Sequence, residues 1–230
     1  MNTLRNSLSA RRAGQKSAQR GYTIVELSIA VAIAGVLLVS AIGLVQTVLT
    51  TNRANETTTL LIKAMAQIDK IWADQPDYNG LSVGTSGAAG VFNGMQVTRS
   101  AAGVVTGVTS KFNRPVYVAM APDLPVPASN RGYVVTFAGV PTSVCADLVA
   151  AAAGGGIRGI LVTPEPAGGV TAPVVPTALS AAGVLTPPAA PTSVVAIDAA
   201  STNLYIATTM GVNGCGTPNA TVALTFVNWK

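Results

Sequence analysis

The chain of 230 residues contains no histidine and only two cysteines, and charged residues make up 10% of it. Without histidine it lacks the side chain that most often serves as a general base near neutral pH. Two cysteines cannot complete a structural zinc site, which takes four ligands. The acids Asp123, Asp147, Glu165 and Asp198 lack the spacing of a catalytic or metal-binding motif. We therefore expect neither an enzyme nor a bound metal or cofactor.

Basic residues are concentrated at one end of the chain. Five of the fourteen Lys and Arg residues lie before Tyr22 and no acidic residue does, so the remaining nine balance the nine acids. Proteins that bind DNA or RNA use clustered Lys and Arg side chains to contact phosphates. Because no such cluster follows Tyr22, we expect no direct binding to nucleic acid.

A long apolar run follows the basic segment. Between Tyr22 and Leu49 the only charged residue is Glu26, and a helix of that length would cross a hydrocarbon layer about 30 Å thick. The positive-inside rule places residues 1–21 in the cytoplasm and the rest of the chain on the far side. A secretory signal peptide is the alternative, but its apolar region has about 7–15 residues and ends at a small-residue cleavage site.

Glu26 is unusual inside an apolar run, because a carboxylate near the bilayer interior costs roughly 2.5–3.5 kcal/mol on insertion scales. A segment that only anchored the chain would be more stable in the membrane without it. The positive N-terminal end of the helix offers this carboxylate a favourable field. The remaining cost indicates a further interaction partner.

Helical periodicity continues beyond the apolar run. Apolar residues recur at spacings of three and four from Leu61 to Trp72, which predicts an amphipathic second half of one long helix over residues 22–75. Pro76, Asn79 and Gly80 are expected to end that helix.

The remaining residues, 76–230, contain short β-like runs separated by Gly and Pro. The predicted elements are strands at 115–121, 132–140, 204–208 and 220–227, a helix at 142–153, and an extended surface loop at 164–192. We therefore predict an α+β fold, in which a long N-terminal helix, half membrane-spanning and half amphipathic, packs on an antiparallel β-sheet.

Cys145 and Cys215 both follow the apolar run, so they lie on the exported side if that run spans a membrane. In an oxidising compartment two cysteines most simply form a disulfide. This bond would close a loop of about 70 residues and stabilise the fold by about 4 kcal/mol in the chain-entropy model. Two unrelated buried thiols are the alternative.

The sequence RGYTIVELSIAVAIAGVLLV resembles the cleavage and assembly motif of type IV prepilins. The motif combines a basic leader, Gly21, a hydrophobic first mature residue, Tyr22, and Glu26 four residues later. The resemblance implies that a prepilin peptidase removes the leader, residues 1–21, between Gly21 and Tyr22, and that Tyr22 is then methylated. The leader length and the tyrosine at this position resemble the type IVb group, so a pilin-like fold is implied.

Two later segments, GYVVTFAGVPTSVCADLV and NGCGTPNATVALTFVN, are similar to the PilS-like pilins of conjugative thin pili. In those pilins a helix cysteine pairs with one near the C-terminus, which implies a bond between Cys145 and Cys215. The pilin resemblance also implies that Glu26 pairs with the α-amino group of Tyr22 on a neighbouring subunit. The implied partners are further copies of the chain in a helical homopolymer, the prepilin peptidase, the inner-membrane assembly machinery, and the membrane before assembly.

The expected function is that of a major pilin, held in the bacterial inner membrane as a precursor and then assembled into a surface filament for conjugation, adhesion or aggregation. A minor pilin and a type II secretion pseudopilin are the closest alternatives. Pseudopilins often carry acidic calcium-binding loops near the C-terminus, where this chain offers only Asp198. A signal-anchored surface protein that does not polymerise would need neither Gly21 nor Glu26.

Overall fold

The computed structural model describes residues 23–153, 156–165, 168–176, 178–179, 185–186, 193–197, 204–205, 215 and 221–230. These residues form helices and strands in the order α1 (Ile24–Ile71), α2 (Val83–Ala88), β1 (Gln96–Arg99), β2 (Val105–Thr109), β3 (Pro115–Ala121), β4 (Gly132–Pro141), α3 (Thr142–Ala153), β5 (Gly159–Pro164), β6 (Ala178–Leu179), β7 (Leu185–Thr186), β8 (Ser193–Ile197), β9 (Leu204–Tyr205) and β10 (Thr221–Trp229). The predicted α+β fold is confirmed. The chain divides into two compact units, Met1–Gln46 and Thr47–Lys230.

In the first unit, the described residues form the N-terminal part of α1. The Thr23 carbonyl accepts a hydrogen bond of 3.1 Å from the Leu27 amide, which is the first bond of the helix. The Thr23 side-chain oxygen accepts a second bond, of 3.2 Å, from the Glu26 amide. Threonine is a favoured N-cap because its oxygen satisfies an amide that has no partner inside the helix. Thr23 therefore defines where the helix begins.

The second unit is built on a sheet of eight strands in the order β1-β2-β3-β4-β10-β5-β8-β9. Each neighbouring pair is antiparallel. Strand β3 and helix α3 have the predicted bounds, and β4 extends one residue beyond its prediction, to Pro141. A separate hairpin pairs β6 with β7.

The main core lies between the inner face of this sheet, the second half of α1, and α3. From Leu61 to Ile68 the side chains that α1 contributes follow the predicted spacing of three and four residues, and Trp72, directly after the helix, continues it. The core residues of this segment are Ala54, Leu61, Ala64, Met65, Ile68 and Trp72. Ile71, which the apolar spacing also includes, is 43% exposed instead.

The outer face of the sheet is also covered. Strands β4 and β10 are buried on both faces, so they read as continuous apolar runs rather than as alternating ones. The segment 168–176 lies over this face: the Tyr117 hydroxyl donates to the Val170 carbonyl at 2.8 Å, and the Val174 amide donates to the Thr136 hydroxyl at 3.2 Å. This part of the predicted surface loop is thus a packed segment, because an apolar outer face must be shielded from water.

Gly139 lies in a β-bulge between β4 and β10, where the register shifts opposite Val222 and Leu224. Its φ is +64°, a left-handed conformation that favours glycine. A Cβ atom here would overlap the side chain of Arg114, which ion-pairs with the buried carboxylate of Glu165 at 3.1 Å. Glycine at this position therefore permits both the bulge and the ion pair.

We expect Gly139→Ala to lower the free energy of unfolding by about 1–3 kcal/mol, because alanine is strained at this φ and its methyl group displaces Arg114. Thermal or denaturant unfolding of the purified chain in detergent measures this. Gly103→Ala is the matched control, since Gly103 also has a positive φ, +78°, but has open space around it. Equal losses in both variants would show that Arg114 plays no part.

Candidate functional site

The structure describes three of the five predicted site residues, Glu26, Cys145 and Cys215. Gly21 and Tyr22 lie outside the described residues. Glu26 is exposed in the first turn of α1. The two cysteines lie in the other unit.

The first part of α1 has an apolar surface that the chain itself does not cover. Every residue from Ile24 to Leu49 is exposed, and large side chains such as Leu37, Val39 and Leu44 are 64%, 74% and 70% exposed. This helix is long and apolar enough to cross a membrane, although a signal sequence would meet the same criterion. Soluble monomers rarely expose a continuous apolar surface of this length, so it marks contact with lipid or protein.

The polar groups on this surface are mostly satisfied within the helix. The Ser28 hydroxyl donates to the Val25 carbonyl at 2.8 Å, and the Ser40 hydroxyl donates to the Val36 carbonyl at 3.0 Å. The Glu26 carboxylate differs, because no cation among the described residues lies within ion-pair distance of it. It is therefore the group on this surface that stands to gain most from a partner.

Cys145 and Cys215 are joined in a disulfide, with their Cα atoms 5.8 Å apart. Cys145 belongs to α3 and is fully buried, and Cys215 precedes β10. The bond links residues 70 positions apart in the sequence. It joins α3 to Cys215 within the main core, to which both cysteines belong.

The C-terminal end of α1 is fixed to the sheet by a polar network around Asp69. One carboxylate oxygen of Asp69 accepts a hydrogen bond of 2.8 Å from the Tyr78 hydroxyl, and the other accepts one of 3.1 Å from the Asn228 amide. The Tyr133 hydroxyl donates to the Met65 carbonyl at 3.3 Å. The Lys230 ammonium group donates to the Trp72 carbonyl, which also accepts a bond of 3.1 Å from the Gln75 amide, and to the Gln75 carbonyl at 2.8 Å, just beyond the end of the helix.

Burial controls the acidity of the two tyrosines in this network. Loss of solvent raises the pKa of Tyr133 well above its usual value, and the nearby negative charge of Asp69 raises it further. The pKa of Tyr78 is raised in the same way, first by burial and then by its hydrogen bond to Asp69. Both hydroxyl groups therefore stay protonated at any physiological pH.

The sequence pattern did not single out this network. Asp69 is a polar residue between apolar positions of the predicted amphipathic helix, yet it is half-buried and its carboxylate accepts hydrogen bonds from Tyr78 and Asn228. A weak signal was present, since Asp69 directly follows the buried Ile68 and lies next to the core face of α1. The partners Tyr78 and Asn228 lie 9 and 159 residues away in sequence, so only the fold brings them together.

The described residues include no group of three His, Cys, Asp or Glu side chains that could hold a metal ion. The described residues provide mechanical features. In the unit Thr47–Lys230, α1 has a buried attachment to the sheet. In the unit Met1–Gln46, the helix has an uncovered apolar surface with one carboxylate, that of Glu26.

Comparisons with known proteins cover both units. The Bundlin family model matches residues 46–215, and the model of the prokaryotic N-terminal methylation motif matches residues 16–42, which include Gly21, Tyr22 and Glu26. A type IVb pilin from Salmonella typhi is similar in structure, with a TM-score of 0.46 and 17% identity over 76% of this chain and 97% of that chain. A comparison with curated proteins gives no match.

The raised pKa of Tyr133 predicts a loss of stability in alkali. The unfolded chain releases this phenol proton near pH 10, whereas the folded chain retains it, so unfolding becomes more favourable as the pH rises above about 10. We expect Tyr133→Phe to be less stable by about 1 kcal/mol at neutral pH, because hydrogen bonds are lost, but to lose stability less steeply with pH. Unfolding measured from pH 7 to 12 tests this, and parallel curves for the two proteins would contradict it.

Proposed function

The chain belongs to the Bundlin family and is a type IV prepilin of the IVb type, and from this we propose that it is the major structural subunit of a type IVb pilus. Its family consists of structural proteins rather than enzymes. Membership in the family implies processing by a prepilin peptidase and polymerisation into a pilus. The proposal has three further parts: which bond is processed, which contacts hold the filament together, and what the filament does.

Processing takes place at the junction of the basic leader and the apolar run. The prepilin peptidase cuts between Gly21 and Tyr22, residues 1–21 are lost, and the new α-amino group of Tyr22 is methylated. The helix cap at Thr23 supports this assignment, because α1 then begins at Ile24, two residues after Tyr22.

Assembly follows from the uncovered surface of residues 24–49, which is the observation that carries the proposal. In the precursor this surface faces lipid. Outside the membrane it is shielded from water only if many copies pack side by side. Copies that repeat the same head-to-tail contact without closing a ring form an open helical filament.

Glu26 sets the register of this packing. Its carboxylate lies one helical turn from the new N-terminus, so the charged α-amino group of Tyr22 on a neighbouring copy can meet it inside the apolar bundle. A buried pair of opposite charges is tolerated, whereas removing one partner of such a pair costs about 3–5 kcal/mol. A subunit whose register differs would leave both charges unpaired.

The precursor resides in the bacterial inner membrane, and the mature subunit becomes part of a filament outside the cell. The second unit, 47–230, coats this filament and supplies the surface that meets another cell or a substrate. Conjugation, adhesion and aggregation are all consistent with such a filament. Electron microscopy of filaments sheared from cells, followed by identification of their main component, distinguishes a major from a minor pilin.

We expect mass spectrometry of the mature protein to identify N-methylated Tyr22 as its first residue. A mature protein that began at Met1, or at a residue well inside the apolar run, would contradict the proposed processing. As the control, Gly21→Asp should accumulate unprocessed precursor in the membrane, because the bulky charged side chain replaces glycine beside the scissile bond.

We expect Glu26→Ala to be processed normally but not to assemble, because each added subunit would bury an unpaired amine. The penalty of about 3–5 kcal/mol corresponds to more than about a 100-fold loss in subunit affinity. Ser28→Ala is the matched control, since its hydroxyl bonds only within the helix, and it should give normal filaments. Filaments of normal number and length from Glu26→Ala would rule out the pairing.

A further inference from the structure

A polar cleft lies in the unit Thr47–Lys230, at the C-terminal end of α1. Its volume is about 320 Å³, and its lining includes Asp69, Tyr78, Arg158, Asn228, Trp229 and Lys230. Small-molecule sites in proteins have volumes of about 300–1,000 Å³. The cleft therefore has room for one small ligand, of the size of a single sugar.

Two cations in the lining are held by aromatic rings. The guanidinium carbon of Arg158 lies 5.5 Å from the centre of the Trp229 ring, and the Lys230 ammonium nitrogen lies 4.6 Å from the centre of the Tyr78 ring. A cation at this distance from an aromatic face is attracted by the negative charge of the ring face. The positive charge of the cleft is therefore positioned before any ligand arrives, which lowers the cost of binding.

The charge of Arg158 is not neutralised within the described part of the chain. Neither Arg158 nor Lys230 forms an ion pair with an acid among the described residues. The Lys230 ammonium group is bonded to two main-chain carbonyls. The guanidinium of Arg158 has five N–H donors in a planar arrangement that matches the two oxygens of a carboxylate. Arg158 is exposed, so an anion from solution can reach it.

The acid in the lining, Asp69, supplies the opposite property. Its carboxylate is held by hydrogen bonds from the Tyr78 hydroxyl and the Asn228 amide. An ionised carboxylate can accept about four hydrogen bonds, so it can also accept from a hydroxyl group of a ligand. Its negative charge repels a phosphate group, which carries nearly two charges, more strongly than a carboxylate, which carries one.

Arg158 and Asp69 both act on the Tyr78 hydroxyl. Burial raises the pKa of Tyr78, the hydrogen bond and charge of Asp69 raise it further, and the positive charge of Arg158 acts in the opposite direction. A cation and an acceptor carboxylate thus lie near the same group without being paired to each other. A ligand that has both a carboxylate and hydroxyl groups can use both.

We propose that this cleft binds an acidic sugar, which is a sugar ring that carries one carboxylate and several hydroxyl groups. The guanidinium of Arg158 binds the carboxylate through two parallel hydrogen bonds, and Asp69 accepts hydrogen bonds from the hydroxyl groups. The lining residues all belong to one unit, so binding requires no second copy of the chain. The inference therefore goes beyond the proposed filament and does not depend on assembly.

Four small ligands that differ in one feature at a time test the ligand class. The purified full-length chain, in a detergent without a sugar head group, is titrated with D-glucuronate and followed by ligand-detected NMR. We expect saturable binding with a dissociation constant of about 1 mM or lower. D-glucose lacks the carboxylate, acetate lacks the hydroxyl groups, and D-glucose 6-phosphate replaces the carboxylate by phosphate. Each should bind at least about tenfold more weakly, because each loses a charge-assisted hydrogen bond or gains repulsion.

Substitutions of Arg158 test the site. Arg158→Ala should weaken glucuronate binding at least about tenfold. Arg158→Lys keeps a cation beside Trp229 but loses the planar pair of donors, so its affinity should lie between those of the unmodified chain and Arg158→Ala. Arg99→Ala is the matched control: Arg99 is exposed on β1 and does not line the cleft, so the same change in net charge should leave binding unaltered.

The contrary outcomes are distinct. Absence of saturable glucuronate binding up to about 10 mM, or an equal loss in Arg158→Ala and Arg99→Ala, would overturn the site. Equal affinity for D-glucose, acetate or D-glucose 6-phosphate would overturn the assignment to acidic sugars. An unchanged melting temperature shows that each variant folds. Because binding is measured on unassembled chains, failure of the chain to form filaments would overturn the proposed function alone.

Discussion

The proposed filament depends on pairing one carboxylate, that of Glu26, with a cation from another molecule. Glu26 is exposed on an apolar helix surface that the rest of its own chain leaves uncovered. A free carboxylate in such an environment is costly, and a cation brought by another molecule removes that cost. The proposed amine of Tyr22 becomes available only after the leader is cut off, so processing and assembly are linked by one electrostatic requirement.

The two units differ in whether the chain itself buries the apolar side chains of α1. In the unit Thr47–Lys230, the second half of α1 buries its apolar face against the sheet, and the Asp69 network and the disulfide hold the surrounding elements in place. In the unit Met1–Gln46, the same helix exposes its apolar side chains.

Much of the fold could be predicted from the sequence, where periodicity or turn residues gave a strong local signal. The apolar spacing from Leu61 to Ile68 predicted the core face of α1, and α3 was predicted with its observed bounds. Strands β1 and β2 were missed because QVTR and VTGVT are short, polar and exposed in part. The covering segment 168–176 and the Asp69 network were missed because they depend on partners far away in the sequence.

The most direct test of the central claim is a near-atomic reconstruction of the filament by electron cryo-microscopy. If the proposed pairing holds, the carboxylate of Glu26 lies within about 4 Å of the α-amino group of Tyr22 on an adjacent subunit, inside a bundle made of residues 24–49. A reconstruction in which Glu26 faces solvent, or in which no neighbouring amine approaches it, would contradict the account.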